Sequence, residues 1–297
     1  MILSQKKLTY SWPKWTTWLG SIVFVYFAVH LLLTTSYESI TSAFIIPIFI
    51  YLIAHFLRAI RLGVLLRAQR LRKLISLHFY TAACSTVIPF KMGELVRINE
   101  VSRWEKSYCK GFLIVWIERI FDVVALGIFS LVIFLSGGAS VFQDMWGLLW
   151  VMFAFVFISI IFFFIVPEQL SALNLHVMES YTGRKAIKIL QTIEIISSVL
   201  ERVKPIISEK ILTLSVLTLL IWIFEIISLM LFLENTQIVQ IVKDLLAQFS
   251  FALTETPKSQ EALAIITASK NLVLITVGVI SLIFYIIINN KKMDIKE

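Results

Sequence analysis

Pro89-Phe90-Lys91-Met92-Gly93-Glu94-Leu95-Val96-Arg97, and then Ile117-Glu118-Arg119-Ile120-Phe121-Asp122, set charge into a chain that is otherwise almost continuous hydrocarbon. A charged side chain at the centre of a bilayer is unfavourable by about 3 kcal/mol even on the most lenient scale. A carboxylate, a guanidinium and a second carboxylate inside one apolar run therefore mark a site. Glu118 and Asp122 are one helical turn apart and share a face, and Arg119 sits three residues before Asp122, within reach of it. The bland alternative is an Arg119–Asp122 salt bridge that only holds two helices together.

Around this stretch the chain is 59% hydrophobic and 15% charged, with a mean hydropathy of +0.88. That composition excludes an ordinary soluble domain and predicts an all-α polytopic membrane protein, a single transmembrane domain over residues 1–297. A span needs about 20 apolar residues, and six segments qualify, near 15–35, 40–60, 111–136, 146–166, 211–233 and 263–288. Two shorter apolar stretches, 74–90 and 238–253, close on Pro89 and Pro257 and read as re-entrant half-helices or buried helices. The first run follows Lys6, Lys7 and Lys14 but is too long for a signal peptide and lacks a cleavage site, so it is expected to be retained. Cys84 and Cys109 have no CxxC neighbour and are expected to be plain buried thiols, with no metal or cofactor. The net charge of +8 is concentrated at helix ends, which fits anionic headgroups and orientation rather than nucleic acid.

Lysine and arginine give the orientation. The connection between the second and third spans is the most basic part of the chain, from Arg58 and Arg61 through Arg72 and Lys73 to Lys106 and Lys110, and is expected inside. Residues 136–145 carry no Lys or Arg and are expected outside. Residues 167–210 are expected inside again, with an amphipathic helix over 184–203 lying along the inner surface. Both termini then face the cytoplasm. On this topology the units 40–136 and 211–288 are inverted, each a span, a half-helix and a span, an arrangement found in many transporters.

Other polar positions fall into place around the same depth. Glu118 lies roughly 10 Å into the third span, and Lys270 at a similar depth in the sixth from the other side. Glu225, near the middle of the fifth span, has no local cation, and Lys270 is its expected partner. His55, Arg58 and Arg61 form a drifting stripe at the inner end of the second span. Arg61 reads as a snorkelling anchor, and Arg58 as the better candidate for a lipid phosphate, because a planar bidentate donor suits it. His55 reads equally as a core histidine or a participant, and His30 and Trp116 as packing. In the turn, Pro89 stops the half-helix and Gly93 permits a tight bend, leaving Lys91, Glu94 and Arg97 at a broken helix end. A helix starting near Gly93 would present free N–H groups to an anion. The bland alternative there is a solvated surface loop.

These residues resemble the flippase-like family that includes the transmembrane region of bacterial lysylphosphatidylglycerol synthases. That family carries a Pro-x-(Arg or Lys)-x-Gly-Glu-x-x-Arg turn and a Glu-Arg-x-x-Asp helix, matched by Pro89, Lys91, Gly93, Glu94, Arg97, Glu118, Arg119 and Asp122. The likeness extends more loosely to Trp222 and Glu225, and to Pro257, Glu261 and Lys270. Two departures stand out. The family's second turn is Gly-rich, whereas here it reads Pro257-Lys258-Ser259-Gln260-Glu261, and Lys270 stands where the family has Arg.

The resemblance implies movement of an amphipathic lipid between leaflets of the plasma membrane. Residues 289–297 are expected to leave no room for the soluble aminoacyl-transfer domain of the synthases, so a stand-alone member that is not an enzyme is expected. Its partner is then a membrane lipid, anionic, aminoacylated or linked to polyisoprenyl phosphate, with a homo-oligomer or envelope-biosynthesis partners left open. The competing expectation is an accessory or catalytic subunit of envelope glycan assembly, which would usually show an acidic metal-binding loop such as Asp-x-Asp, and none occurs. A scaffold for a biosynthetic complex is the third class. On the transporter expectation Arg58, Lys91 and Arg97 gather the headgroup, Arg119 with Glu118 and Asp122 lines its path, and Glu225 with Lys270 forms the outer half.

Overall fold

The structure, a computed structural model, describes residues 15–34, 44–68, 70–89, 92–135, 146–180, 184–233 and 257–290. Among the described residues there are nine α-helices and no strand: α1 (Trp15–Thr34), α2 (Ile45–Leu65), α3 (Leu71–Val87), α4 (Gly93–Glu105), α5 (Tyr108–Leu135), α6 (Trp146–Ile160), α7 (Val166–Ser180), α8 (Arg184–Leu233) and α9 (Pro257–Asn290). The π-helical turn Ile161–Ile165 joins α6 to α7. Among the described residues five stretches are long and apolar enough to cross a membrane, namely Trp15–Thr34, Ile45–Leu65, Trp146–Glu179, Ser208–Leu233 and Ile265–Ile287. The protein is an all-α polytopic membrane protein. At the third expected span, α5 has the length, 28 residues, but every stretch of 18 within it contains Glu118, Arg119 and Asp122.

Helix α2 shows how the sequence selects its buried face. Pro47 sits in the first turn, where its missing N–H has no helical partner to lose. Tyr51, Ala54, His55, Ala59, Arg61, Leu62 and Leu65 follow at helical spacing and are all buried. This face packs along α8 in the opposite direction. Pro47 carbonyl accepts from Ser228 Oγ at 2.9 Å, Arg61 reaches Thr218, and Arg67 reaches Glu209. The outer surface is apolar: Trp18, Leu19, Ile22, Val25 and Tyr26 are exposed along α1, as lipid contact requires.

Helix α3 is buried almost all round and, at 17 residues, about 26 Å long, it is shorter than a bilayer core. Its Ser76, Thr81, Ser85 and Thr86 hydroxyls donate back to carbonyls one turn earlier, so none is left bare. The helix ends as expected before Pro89, whose ring disfavours helical geometry at Ile88, found extended at φ −78°, ψ 123°. Helix α4 starts at Gly93 with Glu94 in its first turn. Here glycine is needed for close approach, because a Cβ would run into the Cys84 carbonyl and the Ser85 backbone of α3. Helices α4 and α5 then form a tight hairpin through Lys106, in left-handed geometry at φ 55°.

Four expectations about the fold need correction. The fourth span does not stop at residue 166. It continues through a π-turn, in which Val166 N–H bonds Ile161 carbonyl, into α7, and this wider turn relieves the clash that Pro167 would impose on Phe163 carbonyl. No separate surface helix covers 184–203, since α8 is one helix of 50 residues, about 75 Å, running through Pro205 into the span. The expected polar turn at Pro257 is instead the first turn of α9, where proline is tolerated. Cys84 is buried as expected, but Cys109 is exposed. The loop 136–145 and the apolar stretch 238–253 lie outside the described residues.

The glycine contacts predict a contrast between two substitutions. Gly93→Ala forces its methyl against α3 backbone that cannot yield, and should destabilise by about 1–3 kcal/mol. Gly127→Ala meets nothing within 4 Å and should be neutral or stabilise by up to about 1 kcal/mol. Thermal unfolding of the purified variants in detergent measures both.

Candidate functional site

Helices α2, α4, α5 and α8 bring three guanidinium groups against three carboxylates. Arg61, only 2% exposed, holds Asp122 with both ends of its fork, Nη1 donating to Oδ1 at 2.7 Å and Nη2 to Oδ2 at 3.0 Å. Nη1 also donates to Thr218 Oγ1 at 3.0 Å, and Nε lies 3.9 Å from Glu118 Oε1. Arg97 Nη2 donates to the other oxygen of Glu118 at 2.7 Å. At the rim, Arg119 donates to Glu94 and, at 3.4 Å, to Asp122 Oδ2. Arg119 is 40% exposed against 1% for Glu118, so the group is graded from an open edge to a closed interior. Arg61 Nε, Arg97 Nε, Glu118 Oε1 and Glu94 Oε2 make no hydrogen bond within the described residues, leaving inward-facing polar capacity for water or a polar ligand.

A second group joins α2, α8 and α9. Glu225 accepts from Arg58 Nη1 at 2.5 Å and lies 3.7 Å from Lys270 Nζ. Aromatic faces wall the cations: Lys270 Nζ is 4.9 Å from the Tyr51 ring centre and 6.0 Å from that of Phe232, and the Arg58 guanidinium is 5.8 Å from Trp222. Beside them His55 Nδ1 and His78 Nε2 stand 3.4 Å apart.

Glu100 anchors a third cluster. It is fully buried on α4 and accepts from Thr17 Oγ1 of α1 at 2.7 Å, Asn99 Nδ2 at 2.9 Å and Tyr285 OH of α9 at 2.8 Å, with Arg103 at 3.6 Å. This arrangement is a hydrogen-bonded fastening among α1, α4 and α9.

Most of the residues singled out in the sequence therefore meet. Glu94, Arg97, Glu118, Arg119 and Asp122 form the first group, and Arg58, Glu225 and Lys270 the second, with the Glu225–Lys270 pair as expected. Lys91 lies outside the described residues. Glu261 lies in the first turns of α9, and its side chain is outside the described set. Arg61 is no snorkelling anchor but the best-coordinated cation of the first group. Its position on the buried face of α2, between Ala54 and Leu65, was the available signal. Glu100 had none, because all its partners except Asn99 and Arg103 are distant in sequence. Trp116 packs on Phe162 at 4.8 Å, as expected, and also donates to Ser159 at 2.9 Å.

Residues 17–254 match the family described as the lysylphosphatidylglycerol synthase TM region. The chain belongs to that family. No curated protein and no solved structure matches the chain. Membership of the lysylphosphatidylglycerol synthase TM region family makes this a multi-pass membrane protein related to lipid modification or transport. Eight of the charged residues in the two groups fall inside the matched family region, and Lys270 falls beyond its end.

Burial separates the roles of the two arginines that reach Asp122. Arg61→Met strips both carboxylates of a buried partner and should destabilise by about 3–5 kcal/mol. Arg61→Met with Asp122→Leu removes both charges and should recover more than half of that loss. Arg119→Met, at the exposed rim, should stay within about 1 kcal/mol. Equilibrium unfolding of the purified variants in mixed micelles, read as a double-mutant cycle, checks all three.

Proposed function

We propose that this chain is a lipid flippase, moving an anionic or aminoacylated lipid between the leaflets of the plasma membrane, with both termini on the cytoplasmic side. One observation carries the proposal. Nine charged side chains from α2, α4, α5, α8 and α9 meet among apolar helices, and each has an ionic partner on a different helix. A polar seam of this kind is what a charged headgroup needs to cross about 30 Å of hydrocarbon while its tails stay in lipid. The Glu225 carboxylate, shared by Arg58 of α2 and Lys270 of α9, can exchange partners as helices shift, which supports a carrier over a fixed structural bridge.

In this mechanism the headgroup enters at the exposed rim formed by Arg119 and Glu94, passes the Asp122 group, and reaches Arg58, Glu225 and Lys270. No covalent step is required, so the protein acts as a transporter and not as an enzyme.

Reconstitution into liposomes tests the proposal. Transbilayer movement is measured for labelled phosphatidylglycerol, its aminoacyl form and a short polyisoprenyl phosphate. At least one lipid should move with the wild-type protein, and Arg119→Ala should slow it at least ten-fold at equal protein content. Arg119 is the suitable position because, at 40% exposed, it is the least enclosed cation of the two groups. Movement of none of the lipids, or equal rates for the variant, would overturn the proposal.

A further inference from the structure

Helix α1 is joined to the bundle differently from its neighbours. It contains no Asp, Glu, Lys or Arg, so it takes no part in the ion pairs that tie α2, α4, α5, α8 and α9 together. Four of its 20 residues are buried, Gly20, Ser21, Phe24 and Ala28, and beyond Ala28 the side chains of Val29, Leu32 and Leu33 are exposed. Two polar contacts lie near its start. Thr17 Oγ1 donates to Glu100 Oε1 of α4 at 2.7 Å, and Tyr80 OH of α3 stands 3.3 Å from Ser21 Oγ. Ser21 Oγ donates to the Thr17 carbonyl at 2.8 Å, so in the second contact Tyr80 is the donor.

Apolar burial does not hold one helix to another inside a bilayer, because lipid tails offer equally apolar contact; packing and hydrogen bonds between helices do. The packed patch of α1 is short, and the Thr17–Glu100 bond fixes its position. Detaching α1 strands no buried group. Glu100 keeps Asn99 Nδ2 on Oε1 and Tyr285 OH on Oε2, Ser21 keeps its bond within α1, and Thr17 sits at the end of its helix, where water can replace the carboxylate. The patch bears on α3 and α4. A Cβ at Gly20 would lie 3.3 Å from a Val96 methyl and 3.4 Å from Tyr80 OH, and Phe24 meets Tyr80 edge-on at 5.9 Å. Val96 stands between Glu94 and Arg97, whose partners Arg119 and Glu118 are on α5, so α1 presses on α4 within the segment that carries those charges.

We propose that α1 is a detachable strap, latched by the Thr17–Glu100 hydrogen bond, whose docked position restrains α4 and whose release lets the α4–α5 hairpin shift. Docked, α1 backs Val96 and Tyr80. Released, it yields that face to lipid tails, while the ion pairs of the bundle stay closed because α1 contributes to none of them. The strap stands on the contacts of α1; its part in lipid movement rests on the flippase reading.

The full chain in liposomes is spin-labelled at Ile22→Cys on α1 and Leu219→Cys on α8, both exposed positions, in a Cys84→Ala and Cys109→Ser background. Double electron–electron resonance reads the distances between the labels. Thr17→Val keeps the shape of the side chain and removes its donor, and should raise the population with α1 displaced at least ten-fold. Thr17→Ser keeps the hydroxyl and should match the wild type. The same distribution in Thr17→Val and the wild type, or in Thr17→Val and Thr17→Ser, overturns the latch. Gly20→Cys with Val96→Cys, in the same background, supplies a reversible lock, because the two positions lie within disulfide reach. Oxidation of that pair should slow lipid movement at least ten-fold, with recovery on reduction. Equal movement in the oxidised and reduced forms overturns the strap, and decides the matter if Thr17→Val does not fold. Movement in neither form, with none in the wild type, sinks the flippase reading, and the label distances then judge the strap alone.

Discussion

Arg61 reaches Asp122 through both ends of its guanidinium fork, and the rest of the bundle is arranged so that this contact stays closed. The same guanidinium bonds Thr218 and approaches Glu118, so one side chain fixes α2 against α5 and α8. Apolar layers cover the ions on two sides: Leu62, Leu65, Leu113, Ile117 and Leu214 form one, and Leu126, Trp222, Leu229, Phe232 and Ile266 the other. Between such layers a charge that lost its partner would be left with no water to replace it. Rotating α2 or α5 by one residue, about 100°, would break the fork and leave Asp122 without its buried partner. Apolar surfaces tolerate many relative positions of two helices, and the ion layer restricts them to one register.

Legibility in the sequence followed how local the physics was. Pro89 and Gly93 act on their own neighbours, through the extended geometry imposed on Ile88 and the close approach of α3 to α4, and both ends of that turn fell where the sequence placed them. The Glu118-Arg119-Asp122 run was legible for a different reason: the unfavourable placement of charge in hydrocarbon is visible without knowing any partner. Arg61 was misread because an arginine near a helix end has two physically sound fates, snorkelling outward or pairing inward, and the choice depends on whether another helix offers a carboxylate at that height. Asp122 does so from 61 residues away. Glu100 was invisible for the same reason, since Thr17 and Tyr285 approach it only after α1 and α9 have packed.

The long helices show a further limit. Arg184, Lys185, Lys188, Arg202 and Lys204 change the composition of α8 along its length without marking a boundary in it. A helix stops where its backbone stops being satisfied, and a single proline removes one hydrogen bond and adds one clash. Pro205 is absorbed within α8, and Pro167 is absorbed by widening the preceding turn into a π-turn whose 161–166 hydrogen bond replaces the standard one. Polarity along these helices reports surroundings, while only the backbone reports ends.

The two charged groups differ in what they can do when something moves. In the group around Asp122 every charge is answered, Arg61 and Arg97 are enclosed, and shifting a helix exposes opposite charges in equal number, so the group resists opening. Around Glu225 one carboxylate holds two cations from two different helices, α2 and α9, and an arriving anion can take over one of those contacts without leaving any charge bare. On the flippase reading this is the more responsive end of the seam. Before the headgroup arrives, Glu225 draws Arg58 and Lys270 together; with it, the anion shares that work and α9 is released from its obligation to α8. On that same reading the Asp122 group would serve as the pivot and the Glu225 group as the point where substrate and helix position are coupled, a division that follows from the enclosure of Arg61 and Arg97 and from the two-cation contact at Glu225.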